Sequence, residues 1–400
     1  MLVCRMLKRK FILEICLGET NNMGVLYLTE DYFYSKVHHN LSQSISEQDV
    51  DFFVFSIRRE KGFFTNLKDS YGDIKYTLNN VEFDANMLLY RTLFPYKQKY
   101  KYNKLKDSIA VNNVSLVHAS TLFSDGALAY RIFREFGIPY IICVRGTDLN
   151  LYAGKLVHLW KLGLDIMKNA ERIIFISTSC RDQLFKHVIY RRYKDLLWEK
   201  TCVIPNGVDE IWIENMCFER HQFKINSPKL IYIGRFDDNK NVLSLVKAIV
   251  SLRASFPEIR LTLIGGGGVQ DNMIKSYCDK YPETFVYLGK IYDKEKLIGI
   301  MREHDIFAMV SHSETFGLVY VEALSQGLPV LYSKGQGIDG VFKEHVGEPV
   351  NSHDVKSIEM GLFKLINNYD NYDKIEKILP NYSWVRIAKQ YINVYNSVLR

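Results

Sequence analysis

The chain has 400 residues, 47% of them hydrophobic, which suits two or three ordinary domains with real cores. Its net charge of +7 fits acidic ligands or an anionic membrane surface, and equally a general bias toward lysine. No run of about 20 apolar residues reads as a membrane span, and seven cysteines without a C-x-x-C pair argue for a reducing compartment and against a zinc site.

Met1 to Gly18 carries Arg5, Lys8, Arg9 and Lys10 and only a short apolar run, too short and too charged for a secretory signal. Residues 1–22 fit no clear element beyond an extra strand. Gly24 to Leu28 and Phe52 to Phe55 read as strands, with a polar, His-containing helix between them. His38 and His39 show no metal-ligand spacing. Tyr96 to Lys106 is basic with interleaved aromatics; it reads as a solvated face or as a peripheral contact with membrane phosphates. Ser115 to His118 and Tyr140 to Val144 are short apolar strands flanking a helical block, Gly126 to Phe136. His118 borders a substrate site or is a satisfied structural histidine. Arg145-Gly146-Thr147-Asp148 follows a strand; Arg145 stays protonated and so is no general base. It touches phosphate or acceptor, or pairs with Asp148. Arg172 to Ser177 is another strand, and residues 206–228 lack a period and suit an inter-domain connection.

Lys229 to Ile233 is a strand followed by Gly234, Arg235 and Lys240, then a helix with Val242, Leu245, Val246, Ile249 and Leu252 on one face. Arg235 and Lys240 thus sit in a strand-to-helix loop, where a guanidinium fork and an ammonium can neutralise a diphosphate without a metal. Four glycines at 265–268 follow the strand from Leu261, but G-x-G-x-x-G spacing fails, so they read as a tight turn and no NAD site. Ile306 to Val310 is a buried strand. A polar turn ends at Gly317, and a helix follows with Gly327 and Pro329 as its stop signals. Glu314 lies in that turn and Glu322 about two turns into the helix. Alone, each reads as a solvated acid. Together with a glycine-entered helix N-terminus they suggest a pocket for something phosphorylated and hydroxyl-rich. His312, beside this turn, is structural or a site neighbour. Trp384 to Leu399 is a final helix. Strand and helix alternate throughout, which implies parallel α/β sheets with ligands at the strand carboxyl ends.

The paired glutamates, the Gly234-Arg235…Lys240 stretch, Val203 to Asp209, Leu261 to Gly265 and Val286 to Ile291, in this order, resemble retaining glycosyltransferases of family 4. The resemblance implies the GT-B fold: two Rossmann-like domains facing a cleft, residues 1–208 and 209–383, with a C-terminal helix, 384–400, crossing back to the N-domain. It implies catalytic work for Arg235, Lys240, Glu314 and Arg145. It implies donor contacts for Gly234, Lys290, Ile291, Phe316, Gly317, Leu318, Val319 and Glu322, and no metal or cofactor. The donor is then a UDP-, GDP- or ADP-linked sugar. The acceptor is a glycan or lipid-linked glycan in cell-surface polysaccharide synthesis, met in the cytoplasm or on the inner face of an anionic membrane; nucleic acid is not a partner. One departure stands out: Thr29-Glu30-Asp31 occupies the place of the glycine-rich first loop common in the family. It leaves room for a non-catalytic sugar-nucleotide-binding subunit, and a GT-B epimerase is a further alternative.

Overall fold

The computed structural model describes residues 23–58, 73–82, 93–108, 113–219 and 222–400. The readings of residues 1–22 fall outside them. The chain divides into two units: Met1–Ile176, Leu184–Ile204 and Trp384–Arg400 form the first, Ser177–Gln183 and Pro205–Ser383 the second.

In the first unit lie strands β1 (Gly24–Leu28), β2 (Asp51–Arg58), β3 (Thr77–Glu82), β4 (Leu116–Ala119), β5 (Tyr140–Val144), β6 (Arg172–Phe175) and β7 (Thr201–Val203). Helices α1 (Lys36–Ser46), α2 (Phe94–Ser108), α3 (Ser124–Phe136), α4 (Trp160–Asn169) and α6 (Lys194–Trp198) alternate with them, while α5 (Thr178–Lys186) begins in the second unit and only its last residues, from Leu184, belong to the first. The sheet order is β3-β2-β1-β4-β5-β6-β7, with every pair parallel. Tyr27 stands opposite Val54 on one side and His118 on the other. Every residue of β1, β4 and β5 is buried, as expected of strands covered on both faces. Pairing runs outward from β1 to β3, and the chain then returns on the opposite side of β1 at β4. The switch point is therefore between β1 and β4.

The second unit opens with the short helix α7 (Glu210–Glu214), inside the stretch read from the sequence as connection; its Trp212 is buried. Strands β8 (Lys229–Gly234), β9 (Arg260–Gly265), β10 (Phe285–Gly289), β11 (Ile306–Ala308), β12 (Val330–Ser333) and β13 (Gly347–Val350) form a parallel sheet of order β10-β9-β8-β11-β12-β13. Helices α8 (Val242–Leu252), α9 (Asp271–Lys280), α10 (Lys294–Arg302), α11 (Leu318–Ser325) and α12 (Val355–Asn367) intervene. All five residues assigned to the apolar face of α8 are buried. The switch point here is between β8 and β11.

The last helix, α13 (Trp384–Leu399), belongs to the first unit. Trp384, Ile387, Ala388, Tyr391 and Tyr395 recur at helical spacing and share one core with Tyr27, Leu41, Ile45 and Val54. Both units are thus Rossmann-like, and the C-terminal helix crosses back to the first. Strand β11 is shorter than its apolar run. The Tyr320 hydroxyl takes the Met309 carbonyl at 2.6 Å and the Asn241 amide takes that of Val310 at 3.1 Å, so both acceptors leave the ladder.

Candidate functional site

At the switch point of the second unit the loops after β8 and β11 are stitched together. His312 N–H donates to the Asn239 carbonyl at 2.8 Å. The Asn239 side chain accepts from Ser313 N–H and donates to the Ser313 carbonyl, both at 3.0 Å. Asn241 has a φ of +53°, a conformation asparagine tolerates better than most residues, and its amide also reaches the Ser352 carbonyl at 2.7 Å. These bonds fix where Lys240 points. Its ammonium donates to Glu314 Oε2 at 2.6 Å, while its backbone N–H caps onto Asp237 Oδ1 at 2.9 Å. Among the described residues Arg235 is held only by Asp237, 3.5 Å away, and its side chain is 71% exposed. A fixed ammonium and a reaching guanidinium therefore project from one loop.

Gly317 ends the second loop with a φ of +77°. A Cβ there would stand 2.6 Å from the Tyr320 ring, so only glycine fits. Helix α11 starts at Leu318, and the N–H groups of Leu318 and Val319 have no acceptor among the described residues. They are the orphan donors of a helix N-terminus, where negative charge is favoured. Because the helix starts this late, Glu322 lies a little over one turn in, not two. It is half-buried, its carboxylate has no hydrogen-bond partner among the described residues, and burial pushes its pKa up to about 7 against the pull of Lys294. Lys294 is itself paired with Asp209. The Phe316 ring is buried, 6.2 Å from that of Tyr382, so this residue has only its backbone to offer a ligand.

Beside this, the glycine turn after β9 is packed too tightly for side chains. A Cβ on Gly265 would meet the Gly234 carbonyl at 1.7 Å, and one on Gly268 the Phe236 carbonyl at 2.2 Å. Lys290 is exposed at the end of β10, its Nζ 2.9 Å from where a Cβ of Gly267 would lie; Ile291 is half-buried. Gly234, Arg235, Lys240, Lys290, Ile291, Glu314, Phe316, Gly317, Leu318, Val319 and Glu322 thus all lie in the second unit, at or just beyond strand ends. Arg145 lies in the first.

Sequence reasoning missed part of the support. Glu314 N–H donates to Gln336 Oε1 at 3.2 Å, and its carbonyl accepts from Gly337 N–H at 2.7 Å. Ser177, grouped with the second unit, donates from Oγ to the Thr315 carbonyl at 2.6 Å. Gly335-Gln336-Gly337 directly after β12 was the available signal, a Gly-x-Gly turn at a strand's carboxyl end.

In the first unit the Asp148 carboxylate accepts backbone N–H bonds from Arg145 at 2.9 Å and from Leu122 and Phe123 at 3.1 Å each. Arg145 and Asp148 are thus joined through backbone, not as a side-chain pair. Burial pushes Asp148 up to about 7 despite these donors. The Arg145 guanidinium donates from Nε to the Ser120 carbonyl at 2.9 Å. His118 is fully buried, held by Tyr395 Oη at 2.8 Å and Cys143 Sγ at 3.2 Å, and burial drives its pKa down to about 3. It is a structural histidine. His312 bonds Ser352 and stacks on His353 at 4.2 Å.

The acidic first loop also finds its reason. Glu30 accepts from Lys97 at 2.6 Å, from Lys101 at 2.8 Å and from the Ser124 hydroxyl. Lys101 also meets Asp125 at 3.0 Å. Two lysines of the basic run on α2 therefore turn inward.

Residues 217–380 match the family described as glycosyl transferases group 1, and residues 35–211 match glycosyltransferase family 4. The chain belongs to the group 1 glycosyl transferases. This transferase is 30% identical over 300 residues to the sulfoquinovosyl transferase SQD2 of Arabidopsis thaliana, covering 71% of its own length and 57% of the relative's. It is 23% identical over 300 residues to glycogen synthase of Mycobacterium tuberculosis, 71% and 69% of the two chains. Among solved structures, the transferase superposes on HepE of Anabaena in complex with UDP and glucose with a TM-score of 0.64 and 17% identity, covering 94% of this chain and 100% of that one. That likeness establishes the GT-B architecture. No helix among its described residues is long and apolar enough to cross a membrane.

Proposed function

We propose that this transferase moves a sugar from a nucleotide-diphosphate sugar to a hydroxyl of a glycan or lipid-linked glycan, with retention at the anomeric carbon and without a metal. The observation that carries the reading is the β8/β11 switch point. There Lys240, fixed by Glu314, and the exposed Arg235 stand with the orphan N–H groups of α11. The difficult step is departure of the diphosphate. As the bond from anomeric carbon to phosphate oxygen breaks, charge grows on the leaving oxygens, and these donors meet it. Such preorganised stabilisation is commonly the largest catalytic contribution. The acceptor oxygen forms the new bond on the same face, and its proton passes to the departing phosphate, so no carboxylate nucleophile is required. Glu314 takes hydroxyls of the donor sugar, Glu322 those of the ribose, and Lys290 and Ile291 border the base. Arg145 faces phosphate or acceptor. HepE, of the same fold, binds UDP and glucose, which supports a nucleotide sugar as donor. The cell compartment is the cytoplasm, with the acceptor met at the inner membrane face.

The test is release of nucleoside diphosphate from UDP-, GDP- and ADP-sugars in excess EDTA, with product configuration read by NMR. Diphosphate release with one donor, undiminished by the chelator and giving a retained anomer, is expected. Activity abolished by EDTA and restored by Mg²⁺ would remove the metal-free mechanism; absence of release with every donor would favour a non-catalytic binding subunit.

A further inference from the structure

Part of the first unit's surface is apolar and basic at once. The Phe94 ring meets Tyr152 edge-on at 5.9 Å, Trp160 Nε1 donates to the Ala153 carbonyl at 2.9 Å, and the Trp160 ring meets His187 at 4.6 Å. The start of α2, the turn over residues 148–160 and the turn that begins at His187 therefore form one continuous face. On it Leu93, Tyr96, Leu151, Val157 and Val188 are between 41% and 60% exposed. Lone exposed apolar side chains are ordinary, but five along one contact chain are not. Around them Lys155, Lys161, Lys186, Arg191 and Arg192 are exposed, and no described residue pairs with any of these side chains. The stretches 149–164 and 183–194 contain no aspartate or glutamate.

We propose that this face docks on a membrane surface rich in anionic lipid headgroups. The apolar side chains are spaced to enter the headgroup boundary, and the unpaired cations to meet lipid phosphates, the two contributions that hold a peripheral protein on a bilayer. Two lysines of the basic run on α2 add nothing to that surface, because Lys97 and Lys101 are spent on Glu30 and Asp125. An acid-poor face with five free cations suits an anionic bilayer better than a protein partner, for which complementary charge would be countered by acids of its own rim. Docking here deepens the reading of a lipid-linked acceptor, but the physical contact does not depend on it.

Sedimentation of the full chain with vesicles of phosphatidylcholine alone, and of phosphatidylcholine with phosphatidylglycerol, tests the assignment. Binding to the anionic vesicles only, weakening as salt rises, is expected. Arg191→Glu combined with Arg192→Glu should lower vesicle affinity roughly 20-fold, and Val157→Asp should lower it as well. Equal binding to both vesicle types, binding to neither, or full binding by the double variant would each overturn the proposal. In the last two cases, a dimer detected by light scattering would give the face to self-association. Donor hydrolysis in the same samples separates the two readings. Vesicle binding lost with hydrolysis intact concerns only this face; hydrolysis absent with vesicle binding intact concerns only the transfer reaction.

Discussion

Glu30 and Glu314 hold comparable places, each in a loop at the carboxyl end of a strand beside a topological switch point, and each is bonded to lysine. Their surroundings differ. Glu30 is 4% exposed and accepts from two lysines and a serine, with Asp125 completing the cluster. Glu314 meets one lysine, and the side chains of that pair are 26% and 14% exposed, with the Arg235 guanidinium and two orphan N–H groups nearby. The first arrangement satisfies every charge internally, so it positions backbone and offers little to a ligand. The second leaves donors unspent, which is what an anion site requires. Carboxylate and ammonium at a strand end are thus support or site according to how many partners are already present.

The largest effect should come from opening the closed cluster. Lys101→Met leaves Glu30 and Asp125 short of a buried partner and should destabilise the fold by about 3–5 kcal/mol. Chemical denaturation measures it, and an unchanged midpoint would show that the cluster is not closed as described. In the open region the order of effects reverses. Arg235→Ala and Lys240→Ala should each cost roughly 3 kcal/mol in the transition state, about a hundredfold in turnover, with melting temperature nearly unchanged. Near-normal turnover in both would erase the distinction.

The two regions should also separate by pH. His118 is unprotonated in the fold with its pKa near 3, against 6.5 when unfolded. Below pH 6.5 the unfolded chain binds a proton that the folded chain refuses. Stability should therefore fall on acidification by about 1.4 kcal/mol per pH unit until the folded pKa is reached. His118→Phe should flatten that slope. The smallest effect belongs to Glu322, whose folded pKa of about 7 lies above the 4.5 of a freely solvated glutamate. Its contribution to stability is complete below pH 4.5 and is lost as pH rises through 7. Glu322→Gln should accordingly raise the melting temperature relative to the parent at pH 8 and leave it alone at pH 4.5. The same difference at both pH values would mean that burial does not perturb this carboxyl.

Much of the fold was legible because its signals are local. The apolar runs of β1 and β8, the spaced apolar face of α8 and the helix from Trp384 follow from strand and helix periods, which no distant residue alters. The candidate site was legible as residue types at strand ends: Gly234, Arg235, Lys240, Glu314 and Glu322 could be named together because parallel sheets expose those ends. Other features depended on partners far along the chain. Glu30 reads as a loop acid until Lys97 and Lys101 are folded onto it. His118 reads equally as a site neighbour or a structural histidine until Tyr395 covers it from the last helix. Strand β11 ends early because Tyr320 and Asn241, outside the strand, take its carbonyls. The sequence by itself thus determined the order of elements and the chemistry available at their ends. Which charges are satisfied, which are left for a ligand and which face water was decided only by tertiary structure, since pairing and burial depend on residues that sequence spacing does not bring together.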